Sequence, residues 1–197
     1  MCKRSVAAPS AGVAVLALTA ALSVASTASP AAAATCPAST TCPTTVTFTV
    51  TAPDGLTITV PDGPVNIGSG VPGGQISGLL GPVTVSDQRA ALNATWVATV
   101  SAAVGGFTTG GGTTAETVPN SAVLYWSGMA VTTGTGTFVP GQANAAAAQS
   151  LDVPRTAYSK TSGSGDNSAT WNPTIVVNVP VQAVAGTYTG TVNHSVA

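Results

Sequence analysis

Few groups in this 197-residue chain could do acid–base or nucleophilic chemistry: one histidine, His194, six Asp and Glu, five Lys and Arg, and three cysteines. Nucleophilic catalysis needs a base within reach of the nucleophile, and here the base would be His194 or a carboxylate. The acids Asp54, Asp62, Asp87, Glu116, Asp152 and Asp166 are scattered, mostly in turn sequences. Glycoside hydrolysis needs two facing carboxylates, and spacing selects no pair. There is no nucleophile elbow or metalloprotease motif. Gly110-Gly111-Gly112 is not followed by Lys-Ser/Thr, which argues against a phosphate cradle. Asp166-Asn167 offers too few oxygens for calcium. Two thiols and one distant imidazole do not complete a zinc set. The reading is therefore not an enzyme, with no cofactor and no metal, and binding is the expected role.

The chain opens with a leader. Lys3 and Arg4 precede an apolar run from Ala11 to about Ser26, and Ala32 and Ala34 supply the small-x-small pattern of signal peptidase. Residues 1–34 are read as a secretory signal, with cleavage after Ala34. The run is shorter than the about 20 residues of a membrane span, so no transmembrane segment is expected in the mature chain. The expected location is secreted and extracellular. Without Lys3 and Arg4, the cations Arg89, Arg155 and Lys160 face six acids, a net charge of −3. So few cations argue against nucleic acid or anionic lipid as partner.

Cys2 leaves with the leader. Cys36 and Cys42 remain in a short N-terminal segment, residues 35–44, and such a pair can oxidise outside the cytoplasm. Closing that loop would contribute about 2 kcal/mol on the chain-entropy account.

Residues 45–197 read in period two. Val46, Phe48 and Val50 alternate with threonines, as do Leu56, Ile58 and Val60. Val83 and Val85 follow, then Trp96, Ala98 and Val100, then Trp171, Ile175, Val177 and Val179, and last Tyr188, Val192 and Val196. This is the pattern of strands with one face buried and one wet. Pro53-Asp54-Gly55, Pro61-Asp62-Gly63, Gly81-Pro82 and Pro140-Gly141 punctuate it as turns. Residues 105–114 and 162–168 read as loops, and only residues 143–150 suit a short helix, with Asn144 as its cap. The expected fold is all-β: a single β-sandwich of short, mostly antiparallel strands with Gly/Pro-rich loops.

Trp96 shares a strand face with Ala98 and Val100 and reads first as core, with ligand contact as the alternative. Tyr125 and Trp126 are adjacent, so on a strand they point to opposite faces and one should be exposed. An exposed aromatic face, joined by Tyr158, would suit a sugar ring. His194 lies on the face of Tyr188, Val192 and Val196. Asp87 and Arg89 read as an ion pair bracing the loop before Trp96.

Two segments resemble the WxL family of Gram-positive surface proteins. The first is Gly81-Pro-Val-Thr-Val-Ser-Asp-Gln-Arg89 leading to Thr95-Trp96-Val97-Ala98, similar to a strand ending in Asp-x-Arg before the proximal Trp-x-Leu. The second is Trp171-Asn-Pro-Thr-Ile-Val-Val with Gly186-Thr-Tyr188 through Val196, similar to the closing strand before the distal Trp-x-Leu. Ala98 stands where Leu is usual, and His194-Ser195-Val196 replaces the distal motif. With residues 56–70 as an opening hairpin, the likeness spans nearly all of the mature chain. It implies non-covalent attachment to cell-wall peptidoglycan, with Trp96, Trp126, Tyr125, Tyr158 and His194 as candidate contacts and Asp87, Arg89, Tyr188 and Val196 as motif support. The alternative partner is another exported surface protein.

If Cys36 and Cys42 are paired, the secreted chain takes up no alkylating reagent until reduced and two equivalents afterwards; intact mass measurement reads the difference.

Overall fold

The computed structural model describes residues 37–53 and 55–197; the leader, Cys36 and Asp54 lie outside the described residues. The chain forms two units, Met1–Phe48 and Thr49–Ala197. Cys42 is held in a disulfide.

The second unit is an all-β sandwich. Its strands are β1 (Leu56–Thr59), β2 (Gln75–Leu79), β3 (Val83–Asp87), β4 (Trp96–Ala102), β5 (Phe107–Thr108), β6 (Thr117–Val118), β7 (Val123–Trp126), β8 (Val131–Thr133), β9 (Phe138–Pro140), β10 (Gln149–Ser150), β11 (Arg155–Lys160), β12 (Asn167–Trp171), β13 (Thr174–Asn178) and β14 (Val192–Val196). They form three four-stranded sheets, β1-β3-β12-β8, β10-β7-β13-β2 and β14-β4-β11-β9, plus the pair β5-β6. Among the described residues, every strand pairing is antiparallel.

The first two sheets are two halves of one kinked layer. β2 runs into β3, β12 into β13 and β7 into β8, each changing sheet at an irregular step. Trp171 pairs with Val83 and Thr174 with Leu79, so two residues face three across the break. Pro82 and Pro173 lie there and have no N–H for the ladder. The break is sealed otherwise: Leu80 N–H donates to the Pro173 carbonyl at 2.9 Å, and Gly81 N–H to Asn172 Oδ1 at 3.1 Å. Gly81 has φ +94°, which a side chain would strain.

One core joins this layer to the β14-β4-β11-β9 sheet. Trp96, Ala98, Val100 and Tyr158 come from one side; Val83, Val85, Ala169, Trp171, Tyr125 and Ile175 come from the other. Tyr158 stacks on Trp171 at 5.2 Å between centroids. A bulge between Thr156 and Tyr158 turns both Ala157 and Tyr158 inward.

Several sequence expectations need correcting. Val46, Phe48 and Val50 alternate as a strand should, yet lie in none and are 78, 85 and 76 % exposed. Alternation makes a half-buried strand only where an edge accepts it. Residues 56–70 do not form a hairpin: β1 pairs with β3, and residues 60–74 run without strand as a strap. Tyr188 precedes the closing strand, which starts at Val192. The expected helix at 143–150 is one 3-10 turn, Ala145–Ala147, whose Ala146 N–H donates to Asn144 Oδ1 at 3.0 Å.

Trp96 is 2 % exposed at the centre of the core. Trp96→Ala should cost about 3–5 kcal/mol and lower the urea midpoint sharply or abolish folding; an unchanged midpoint would contradict this packing.

Candidate binding surfaces

The Asp-x-Arg segment builds a buried polar knot. Asp87, at the end of β3, has no exposed surface. Arg89 Nε and Nη2 donate to its two carboxylate oxygens at 2.8 and 2.9 Å, and the Arg89 N–H adds a third bond at 3.1 Å. Asn167 Nδ2 on β12 donates to Asp87 Oδ2 at 3.3 Å, and Asn167 Oδ1 accepts from Trp96 Nε1 at 2.8 Å. Arg89 Nη2 also reaches the Thr95 carbonyl at 2.9 Å, closing the loop before Trp96. These bonds, Arg89's foremost, hold the Asp87 carboxyl below its usual range. Lys160 is buried nearby in sequence register with Trp96; its Nζ donates to the carbonyls of Ala94 and Ser162 at 2.8 and 2.7 Å and sits 5.6 Å from the Phe138 ring centroid.

A second chain of polar groups crosses the core. Trp171 Nε1 donates to Tyr125 Oη at 3.1 Å, and His194 Nε2 lies 3.4 Å beyond. Since the Tyr125 oxygen accepts from Trp171, its own proton is free to point at a neutral His194 ring, with Nε2 accepting. Burial lowers the His194 pKa to about 4 and pushes the Tyr125 phenol up, which keeps both groups neutral.

Trp96, Tyr125 and Tyr158 are thus core side chains and present no ring to a polymer. Their burial follows from strand parity and from the bulge at Tyr158. Tyr188 is half-buried, its hydroxyl oxygen 3.0 and 2.9 Å from the Ala115 and Val184 carbonyls, to either of which its one proton can donate. Val196 and His194 are half-buried on β14. Only Trp126 of the aromatic candidates stands on an outer face, half-buried, with Thr174 of β13 between it and Leu79 of β2, which is 55 % exposed.

The outer face of the β1-β3-β12-β8 sheet carries an arrangement that sequence alone did not single out. Register aligns Thr57, Ser86, Ser168 and Thr133 in one row across four strands. Thr59, Thr84 and Thr170 form a second row. Thr84 and Thr170 hydroxyls lie 2.9 Å apart, and those of Thr133 and Ser168 2.7 Å apart. Neighbouring strands are about 4.8 Å apart, so this is a regular array of hydroxyls, with Asp166 beside the Ser86-Ser168-Thr133 row and Val131 in line with Thr170. Its signal was the Thr-x-Thr and Ser-x-Thr spacing of separate strands; which strands become neighbours could not be read.

A cleft of about 1060 Å³ has Val83, Ile175 and Val177 in its floor, residues 60–72 and 183–192 as walls, and His194 at its side. Ile67 of the strap runs against Gly78, where a Cβ would lie 2.8 Å from the Ile67 Cα. Among the described residues, no Asp, Glu, Lys or Arg lines the cleft.

Three further acids are engaged in local structure. Asp152 pairs with Arg155 at 2.8 Å, Glu116 closes a capping box with Thr113, and Asp166 accepts from the Ala90 N–H at 3.1 Å. Among the described residues, no three His, Cys, Asp or Glu side chains gather as a metal site.

Comparison with known protein families, curated proteins and solved structures finds no match. The likeness to the WxL pattern rests on its own residues.

Acid should destabilise the fold in two steps. The His194 pKa is lower folded than unfolded, so its contribution is intact above about pH 6.5 and falls by up to about 1.4 kcal/mol per unit toward pH 4. Asp87, also depressed, holds its contribution above about pH 4 and loses it below. Urea midpoints against pH should show both slopes, and His194→Phe should flatten the upper one.

Proposed function

We propose that this is an exported, non-catalytic protein of the bacterial surface that associates non-covalently with cell-wall peptidoglycan. The observation carrying the reading is the double row of hydroxyls, Thr57-Ser86-Ser168-Thr133 and Thr59-Thr84-Thr170, on one sheet face. A glycan strand presents hydroxyls and amides at regular intervals, and a regular hydroxyl array can exchange hydrogen bonds with it. Trp126, on the adjoining outer face, adds a ring edge for apolar contact. Each bond contributes only about 1 kcal/mol net, so strength would come from repetition along the polymer. The expected leader and the likeness to the WxL pattern support the same location. Asp87 and Arg89 take part as the brace of the fold, not as contacts.

A second reading is an interaction module that binds another exported protein. The apolar cleft favours it, since an uncharged groove at a sheet edge suits an extended peptide.

A pull-down on purified peptidoglycan tests the first reading. The mature protein should pellet equally at physiological salt and at about 1 M, where charges are screened beyond about 3 Å. Thr133→Val with Ser168→Ala should weaken binding about thirtyfold, two hydrogen bonds' worth at about 1 kcal/mol each. Trp126→Ala should weaken it and leave the melting temperature nearly unchanged. Protein that stays in the supernatant sinks the wall reading.

A further inference from the structure

We propose that the apolar cleft binds a neutral, elongated, mostly apolar small molecule whose hydrogen-bond acceptor meets His194. The floor, Val83, Ile175 and Val177, is sealed core. The surface offered to a ligand is in the walls. Val60, Val65, Val71 and Val184 are exposed there, and Ile67 and Val179 are half-buried. The two walls are held by different means. On one side, the Val184 N–H is shared between the Ala115 carbonyl at 3.0 Å and the Tyr188 oxygen at 3.1 Å. On the other, Ile67 seats the strap on the bare backbone of Gly78. Between residues 61 and 70 the strap makes no hydrogen bond to another main-chain group among the described residues. It is therefore the wall that can yield to admit a ligand. The cleft volume, about 1060 Å³, is at the upper end of the roughly 300–1,000 Å³ of small-molecule sites.

The polar side chains of the lining select one contact. Asn66, Ser69, Thr187, Thr189 and Thr191 are exposed to water. The Tyr188 hydroxyl is taken by Ala115 and Val184. His194 is half-buried and has a donor to spare. Its Nε2 accepts from Tyr125, so its Nδ1 carries the ring proton. That N–H has no partner among the described residues, and it is not one of the sealed unpartnered atoms, which are Asn120 Oδ1 and Gln142 Oε1. It therefore reaches solvent beside the cleft that His194 borders. An apolar site with a placed donor orients its ligand through an acceptor. Charge decides the rest. The lining carries no ionised side chain among the described residues, and burial keeps the His194 ring neutral by lowering its pKa to about 4. A carboxylate or phosphate would be buried there without a countercharge. The chemistry fitted is that of a long-chain ketone, ester or alcohol, not of a fatty acid. This inference is independent of wall binding and is read in solution without wall material.

The experiment is a titration of the secreted mature protein with Nile red, a neutral, elongated dye with a carbonyl acceptor. Its fluorescence should rise to saturation at one dye per chain. Methyl nonyl ketone should displace it, and decanoate at neutral pH should need about tenfold more or fail, since its charge would be buried unpaired. Val184→Trp on the exposed wall fills the cleft and should abolish saturable binding at an unchanged thermal midpoint. Val65→Trp on the strap is the companion variant, in case the first disturbs folding. His194→Phe should weaken the ketone about fivefold, one hydrogen bond's worth, and leave undecane unchanged. A merely structural change would weaken both alike. Absence of saturation in the wild type overturns the proposal. So does wild-type binding by both tryptophan variants, or an equal loss of ketone and undecane in His194→Phe. Displacement of the dye by an uncharged Val-Thr peptide and not by the ketone overturns it too, in favour of an extended peptide.

Discussion

A carboxylate with no exposed surface must find all its donors inside the protein. Asp87 finds them in Arg89 and Asn167, and Asn167 hands its own oxygen to Trp96. Three strands, β3, β4 and β12, meet at these few bonds, one on each side of the sandwich and one beside the first. The orientation of Trp96 follows from the knot, and the packing of both layers follows from Trp96. Removing a single partner would strand a buried charge, which generally costs more than the intact arrangement contributes. The loop of residues 88–95 has its conformation dictated by the same bonds, since Arg89 closes on the Thr95 carbonyl.

Strand content was legible because alternation and turn chemistry are local. Val83 and Val85, Trp96, Ala98 and Val100, and Ile175 and Val177 fall on buried faces as their period requires. Pairing was not legible. β1 joins β3, β3 joins β12, and β4 joins β14, and none of these partners is identified by its own residues. The kink escaped for a related reason: Gly81-Pro82 reads as a turn, whereas here it is the step at which β2 and β3 change sheet. Val46, Phe48 and Val50 show the converse error, since a local pattern can be satisfied only by a neighbour that the pattern does not supply.

The candidate surfaces divide along the same line. Parity alone separates Tyr125 from Trp126, one inward and one outward. Tyr158 required the bulge in β11, which no residue type announces. The hydroxyl rows consist of common residues, Thr and Ser, and become a surface only when register sets four strands side by side. The strap was the least legible element, being a run of Gly, Pro and Val whose position depends on the bare backbone of Gly78.

The long-range pairings carry a kinetic consequence. Asp87 meets Asn167 from 80 residues away, and β4 awaits the last strand of the chain. Such topologies fold slowly, because chain entropy is lost before the contacts that repay it form. The uncharged run from Thr44 to Thr51 needs no distant partner to become sticky, and it lies ahead of every strand. It can meet another chain while its own sandwich is still incomplete. Timing, and not stability alone, then decides whether copies fold singly or tangle.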